Sequence, residues 1–191
     1  MEDQNYKTAL SVFIQSIKAG TKYHEYALDV GMTPPVLQNV GLPALPLTIS
    51  VKIIDKCYFE HGVTEATLGR LDDLIANPLS VYKSDSPHID PAKVEAVVLV
   101  TIETKDGNPL LVAIHANKLI GRRQVNQIKS VYDKKDGVVQ KWRNNGLLLW
   151  DKPATPVVQA TVTPIKPTAA APAAPVSPVV VVKKKRQFTK N

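Results

Sequence analysis

The sequence has only one cysteine, Cys57, among its 191 residues. A single cysteine excludes an intrachain disulfide and is typical of a protein that folds in a reducing compartment. A small buried side chain is the common role of such a residue, and we favour it over a catalytic thiol. No apolar run approaches the roughly 18 residues that a membrane-spanning helix requires, and the acidic, polar N-terminus does not resemble a secretory signal. The sequence therefore predicts a soluble, cytoplasmic protein that makes no membrane contact.

Sequence signatures of several enzyme classes are also missing. The chain has no Gly-x-x-x-x-Gly-Lys phosphate loop, no Gly-x-Gly-x-x-Gly, no Cys-x-x-Cys and no His-Glu-x-x-His. The four histidines are far apart and lack the spacing of metal ligands: His24, His61, His88 and His115. We therefore expect neither a metal nor a cofactor, and any enzymatic mechanism should be metal-free.

Acidic residues are missing from the end of the chain. Residues 1–152 carry 18 Lys or Arg and 17 Asp or Glu, whereas residues 153–191 carry six basic residues and no acidic one. The net charge of +7 therefore comes mostly from this Pro/Ala-rich segment, which predicts a disordered tail. Three interpretations of its basic tip, Lys183–Arg186, are open from the sequence: a solubilising end, a contact for nucleic acid or an acidic partner, and a targeting signal recognised by another protein. The near-neutral remainder has no general basic field that would attract nucleic acid.

The most apolar stretch runs from Val94 to Ala116. Two β-branched runs flank the pair Asp106-Gly107, which is typical of a tight hairpin turn. Both runs are apolar at almost every position, whereas a strand with one wet face would alternate. This pattern predicts a central antiparallel hairpin that is covered on both faces.

The remaining elements are shorter and predict an α+β domain over residues 1–152, of which 1–29 form an N-terminal helical extension. Helices are predicted at 5–18, 33–40, over most of 47–59, from the cap Thr64 to 76, and at 138–144. Strands are predicted at 79–84 and 147–150 and are favoured at 125–132, where a helix is the alternative, and a strand is one interpretation of 23–31. The predicted architecture is N-terminal helices packed on a mostly antiparallel β-sheet of about four to five strands.

Several polar residues are candidates for a site. His61 ends a predicted helix, where the carbonyl ends raise an imidazole pKa and favour general-acid chemistry. Ser130, Tyr132 and Lys134 alternate along a predicted strand and its exit, so that they could hold a phosphate from one face. His115 closes the second hairpin strand, and the basic pair Arg122-Arg123 follows. The ordinary alternative for His61 is a capping or surface histidine. For Ser130, Tyr132 and Lys134 it is the solvated face of an edge strand.

An ordered set of short motifs resembles a known family. They are Gly31-x-Thr33-Pro34-x-Val36-Leu37, His61-Gly62-Val63, Leu74-x-x-Asn77-Pro78-Leu79-x-Val81, Ser84, Asp106-Gly107-x-Pro109-x-x-Val112-Ala113-Ile114, Asn126-x-Ile128-x-Ser130-Val131-Tyr132 and Trp142-x-x-x-Gly146-Leu147-Leu148. Together they resemble the nuclease-like C-terminal domain of phage MuF-type head proteins, of the barnase–EndoU–colicin–RelE-like (BECR) ribonuclease superfamily. The resemblance covers about two-thirds of the chain.

This resemblance implies metal-independent cleavage of RNA by acid–base catalysis. Our hypothesis maps this chemistry onto the chain, with proton transfer by His61, phosphate binding by Ser130, Tyr132 and Lys134, and a pocket lined by Ser84 and Asn117. Host tRNA or another RNA is the expected substrate. Because no head-morphogenesis region precedes the domain, we expect a free-standing phage or mobile-element product that acts in the bacterial cytosol, with packaging in a phage particle as one route.

Two alternatives to a ribonuclease are open from the sequence. One is a non-catalytic interaction module on the same fold, such as an inhibitor of a host-defence protein or a virion-internal protein bound to a phage head protein. The other is a packaging accessory that binds nucleic acid through its basic tail. The catalytic hypothesis requires that His61 and the Ser130/Tyr132 face converge on one cleft.

Overall fold

The structure is a computed structural model that describes residues 4–85 and 94–153. The helices are α1 (Gln4–Lys18), α2 (Pro35–Gln38), α3 (Val51–Asp55), a π-helix (Lys56–Glu60), α4 (Glu65–Leu68), α5 (Leu71–Ala76) and α6 (Asp136–Asn144). The strands are β1 (Ala27–Met32), β2 (Pro46–Ser50), β3 (Ser80–Lys83), β4 (Ala96–Lys105), β5 (Asn108–Ile120), β6 (Arg123–Asp133) and β7 (Leu148–Asp151). The predicted α+β class is confirmed. From residue 154 onward, the predicted tail lies outside the described residues, and so does His88.

The described strands form a single sheet in the order β1-β2-β6-β5-β4-β3-β7. It has seven strands, more than the four to five predicted, and its neighbouring strands are antiparallel except for the pair β2 and β6. One added strand is Pro46–Ser50, for which the predicted helix is wrong. Its middle residues are buried between β1 and β6. A short buried strand cannot be distinguished from a buried helix by periodicity alone.

The predicted central hairpin is present as β4 and β5. Asp106 and Gly107 both have positive φ, of 52° and 77°, as the turn between two twisted strands requires. One face of the sheet carries the larger core, to which α1, α3 and α5 contribute. The other face carries a smaller cluster in which Tyr82 and Leu111 pack with Trp142 of α6. Burial on both faces explains why these strands are apolar at consecutive positions.

The helix predicted from Thr64 to residue 76 is divided into α4 and α5. Its predicted cap is confirmed, because Thr64 Oγ1 accepts a hydrogen bond from the Thr67 N–H at 3.1 Å. The division falls at Gly69 and Arg70, where Arg70 leaves helical geometry with φ −114° and ψ 19°. Glycine weakens a helix interior, which accounts for a break at this point.

The segment after β2 continues as α3 and then widens into the π-helix. Ser50 caps α3 by accepting a hydrogen bond from the Ile53 N–H at 3.4 Å. The paired residues of β2 reach only as far as Ile128 on β6, so β6 has no neighbouring strand on that side beyond this point. The π-helix packs there, with Cys57 fully buried against Val131. No helix of the described segments is long and apolar enough to cross a membrane.

Candidate functional site

His61 stands at the end of the π-helix, beside the free edge of β6. Its backbone N–H donates to the Lys56 carbonyl at 3.1 Å, and the Val63 N–H donates to the Cys57 carbonyl at 2.9 Å. Gly62 has φ +62°, which allows the chain to turn sharply after the histidine. The prediction that His61-Gly62 ends the helical segment is confirmed, and the turn leaves the imidazole half-buried.

Tyr132 of β6 lies next to this histidine. The ring centroids of His61 and Tyr132 are 6.1 Å apart, with an angle of 51° between the planes. The Nζ atom of Lys134 lies 5.9 Å from the centre of the Tyr132 ring. The structure therefore brings three of the four predicted catalytic residues together. Ser130, the fourth, is half-buried two positions earlier on the same strand, and alternate strand residues share a face.

The pKa of His61 is lowered, opposite to the shift expected from the sequence. Burial is the largest cause, and the positive charge of Lys56 adds to it, while Glu60 and Asp133 act in the other direction. The expected increase depended on the macrodipole of the helical segment, and burial of the imidazole outweighs this effect. The imidazole is therefore mostly neutral near pH 7 and is suited to accept a proton.

The pKa of Tyr132 is raised, first by burial and then by the negative charge of Asp85. Its phenol therefore keeps its proton at neutral pH and can donate a hydrogen bond. Ser84, a predicted pocket residue, is adjacent to Asp85 in the chain and follows β3, where its backbone N–H donates to the Ala96 carbonyl at 3.0 Å. A neutral imidazole and a protonated phenol thus lie side by side, as a proton acceptor and a proton donor.

Other predicted binding residues have contacts elsewhere. The Asn117 N–H donates to Asn126 Oδ1 at 3.0 Å, and the Asn117 backbone has φ +50°, which indicates a role in a bulge of β5. Arg123 makes two hydrogen bonds to Asp29 at the other end of β6, and Arg122 is exposed in the turn before it. His115 lies half-buried on β5 opposite Gln127, and its pKa is lowered by burial and by Lys129 and Lys118.

A cleft of about 560 Å³ next to the π-helix was not predicted. We call it the basic cleft because its lining includes five basic side chains: Lys22, His24, Lys52, Lys56 and Lys129. Asp55 and Glu60 are the carboxylates in its lining. Spacing along the sequence gives only one signal for this site, the i, i+4 placement of Lys52 and Lys56 across one helical turn. The other basic residues come from β6 and from the loop between α1 and β1, which we call the N-terminal loop.

Lys129 projects from β6 at an irregularity in the strand pairing. Ser130 pairs with Ala113 and Ile128 pairs with Ile114, so Lys129 is the extra residue between two consecutive pairs. Such a bulge redirects a side chain that regular alternation would place on a fixed face. Within residues 4–85 and 94–153, no group of three or more His, Cys, Asp and Glu residues is arranged to hold a metal ion.

The fold and this polar site define an α+β domain whose candidate residues gather at the unpaired part of one strand. The family model described as the phage MuF-C-terminal domain matches residues 52–154, more than half of the chain. The chain therefore belongs to this phage domain family. The matched region includes His61, Tyr132 and Lys134, whereas Lys22 and His24 precede it. No match was found among curated proteins or among solved structures.

Proposed function

We propose that this phage-family protein is a metal-independent ribonuclease of the BECR type. The observation that carries the proposal is the pairing of a neutral imidazole with a protonated phenol, 6.1 Å apart between the His61 and Tyr132 rings. Lys134 places a positive charge 5.9 Å from the centre of the Tyr132 ring. General acid–base catalysis requires such a pair of groups in opposite protonation states at the working pH.

The proposed reaction uses the ribose 2′-hydroxyl as the nucleophile. His61 removes its proton, the 2′-oxygen forms a bond to phosphorus, and the bond from phosphorus to the 5′-oxygen breaks. Tyr132 donates its proton to the leaving 5′-oxygen, and Lys134 stabilises the negative charge on the phosphate oxygens. The products are a 2′,3′-cyclic phosphate and a free 5′-hydroxyl. RNA in the bacterial host cytosol is the proposed substrate, reached after synthesis there or after delivery from a phage particle.

Cleavage of total RNA and of tRNA by the purified full-length chain in EDTA tests this proposal. His61→Ala should lower the rate by about 100-fold or more, because removal of a general base costs at least this factor. Tyr132→Phe removes only the hydroxyl and should lower the rate without disturbing the fold. Lys141→Gln is the matched control, because this exposed lysine of α6 lies outside the site, and it should cleave at the wild-type rate.

Two results would overturn the proposal. Cleavage that is undiminished in both site variants would place the chemistry elsewhere. No cleavage by a wild-type protein whose circular dichroism shows a folded state would leave the interaction module as the function. A pull-down from host lysate would then identify its partner.

A further inference from the structure

The basic cleft carries more positive than negative charge. Asp55 Oδ2 lies 3.1 Å from Lys22 Nζ and 2.9 Å from His24 Nε2, so one carboxylate holds both basic groups of the N-terminal loop. Burial alone would raise the pKa of Asp55, but these two partners together keep it below its usual value. The loop is thereby fixed against α3.

Three exposed lysines of the cleft form no ion pair with any residue that the structure describes: Lys52, Lys56 and Lys129. Glu60 is the other carboxylate in the lining. Unpaired ammonium groups around a concave surface create a positive potential that attracts phosphate groups. Because this charge is local, it does not conflict with the near-neutral total of residues 1–152.

The basic cleft adjoins the proposed catalytic pair. Lys56, in its wall, accepts the backbone hydrogen bond of His61 at 3.1 Å through its carbonyl group. Lys129 precedes Tyr132 by three residues on the same strand. A polymer bound at His61 and Tyr132 could therefore continue into the cleft.

An aromatic cluster is attached to the same loop. Phe13, Tyr23 and Tyr26 form a triangle whose ring centroids are 5.8 to 6.1 Å apart. Despite these contacts, Tyr23 is 41% exposed and Tyr26 is 53% exposed. Tyr23 lies between Lys22 and His24 in the chain, and both of these neighbours line the cleft, so the aromatic cluster adjoins it at Tyr23. Aromatic rings that are held in place but open to solvent are suited to stack on unpaired bases.

We propose that the basic cleft, with Tyr23 and Tyr26, binds the single-stranded RNA that flanks the phosphate attacked at His61. This inference rests on the ribonuclease proposal and adds the strandedness of the substrate to it. The three lysines contact backbone phosphates, and the tyrosines stack on bases, which requires bases that are not paired in a duplex. Because residues 22–26 precede the family match, this chain adds part of its substrate-binding surface from outside the phage domain.

Fluorescence anisotropy with a labelled uridine oligonucleotide tests the proposal. The full-length chain carries His61→Ala to prevent cleavage, and glutamine at Lys183–Arg186 to remove the charge of the tip. Lys52→Gln with Lys129→Gln should weaken binding by about tenfold or more. The same pair should reduce the slope of log affinity against log salt by about 1.4, because each phosphate contact with a single strand contributes about 0.7. Tyr23→Leu with Tyr26→Leu should weaken binding by about tenfold and leave this slope unchanged.

The matched control is Lys118→Gln with Lys141→Gln, which removes two charges from exposed lysines outside the cleft. Binding by this control should stay within about twofold of the parent. Equal losses in the control and cleft pairs would overturn the cleft as the binding surface. Equal affinity for an RNA duplex of the same length would overturn the assignment to single-stranded RNA. The two proposals can fail separately. If the wild type cleaves RNA and the cleft variants cleave it equally well, only the cleft proposal is rejected. If binding depends on the cleft but the wild type cleaves no RNA, only the ribonuclease proposal is rejected.

Discussion

The thiol of Cys57 accepts a hydrogen bond from the backbone N–H of Val131 at 3.2 Å. Val131 lies on the part of β6 that has no neighbouring strand from β2, so the sulfur satisfies an N–H that a strand would otherwise bind. Cys57 precedes His61 by one turn, and Val131 precedes Tyr132 by one residue. This contact therefore sets the position of the imidazole relative to the phenol.

Replacement of Cys57 by alanine should destabilise the protein by about 1–3 kcal/mol, because it leaves the buried Val131 N–H without an acceptor. Cys57→Ser retains an acceptor and should lose less. The measurement is urea denaturation of both variants beside wild type. Equal losses in the two variants would show that packing of the sulfur, rather than the hydrogen bond, provides the stabilisation.

The native Cys57 thiol should be unreactive. Burial, the largest cause, raises its pKa to about 11, so very little thiolate exists at pH 8. We expect reaction with a thiol reagent such as 5,5′-dithiobis(2-nitrobenzoate) to be slow in buffer and fast in denaturing urea. Rapid reaction of the folded protein at pH 8 would contradict this, and Cys57→Ser provides the blank.

The pH dependence of cleavage should show that His61 acts as a general base. Because its pKa is lowered from the ordinary 6.5, the rate should rise with pH below this value and reach a plateau by about pH 7. A rate that instead falls as pH rises through this range would indicate that His61 acts as a general acid. Steady-state rates between about pH 4.5 and pH 8, in buffers of constant ionic strength, distinguish the two outcomes.

The same shift affects stability. The folded state binds fewer protons than the unfolded state when a histidine pKa is lowered, so the free energy of unfolding decreases as pH falls below 6.5 and through the folded-state pKa. His61 and His115 both contribute in this direction. The free energy of unfolding, measured by urea denaturation, should differ less between about pH 5 and about pH 7 for His61→Gln and for His115→Gln than for wild type. An unchanged difference in both variants would exclude these histidines as the cause.

The space around Gly62 is limited by Lys105. A Cβ atom at position 62 would lie 3.2 Å from Lys105 Cε, whereas a Cβ at Gly121 would meet nothing within 4 Å. Both glycines have almost the same φ, +62° and +61°. Alanine should therefore cost about 1–2 kcal/mol at either position for the left-handed backbone, with an additional loss only at Gly62. Thermal denaturation of the two variants isolates that additional term, and equal losses would show that Lys105 moves aside freely.

A buried amide joins the loops at the other end of the sheet. Asn126 is fully buried, accepts from the Asn117 N–H and donates to Thr33 Oγ1 at 2.7 Å and to the Pro43 carbonyl at 2.8 Å. Asn126→Ala removes all three bonds and should cost about 3 kcal/mol in urea denaturation. Asn145→Ala, at an exposed position after α6, is the matched control and should change stability by less than about 1 kcal/mol. A loss below 1 kcal/mol at Asn126 would contradict the structural role of this network.

Local signals predicted much of this fold because they depend on neighbouring residues. The Asp106-Gly107 turn, the Thr64 cap and the end of a helical segment at His61-Gly62 are each confirmed. Strand β2 was missed because Ile49, Ile53 and Cys57 have helical spacing even though Ile49 lies in a strand. The pairing of β2 with both β1 and β6 overrides that spacing, and this information lies far away in the sequence.

The candidate site was predictable to a smaller extent. The sequence indicated His61 and the face of Tyr132 separately, each as a polar residue near the end of an element. Their proximity depends on the π-helix and on Cys57, for which the sequence gives no local pattern. The basic cleft depends on three distant segments and on a bulge at Lys129, so only the spacing of Lys52 and Lys56 could have indicated it.

The parallel ladder between β2 and β6 determines when the site comes into existence during synthesis. The π-helix and His61 leave the ribosome early, but Lys129, Tyr132 and Lys134 follow only after the central hairpin has been made. A growing chain folds from its N-terminus and cannot form this ladder until β6 is free. A partial chain therefore carries no assembled site. A product that ends before β6 would contain the π-helix and His61 but would lack Lys129, Tyr132 and Lys134.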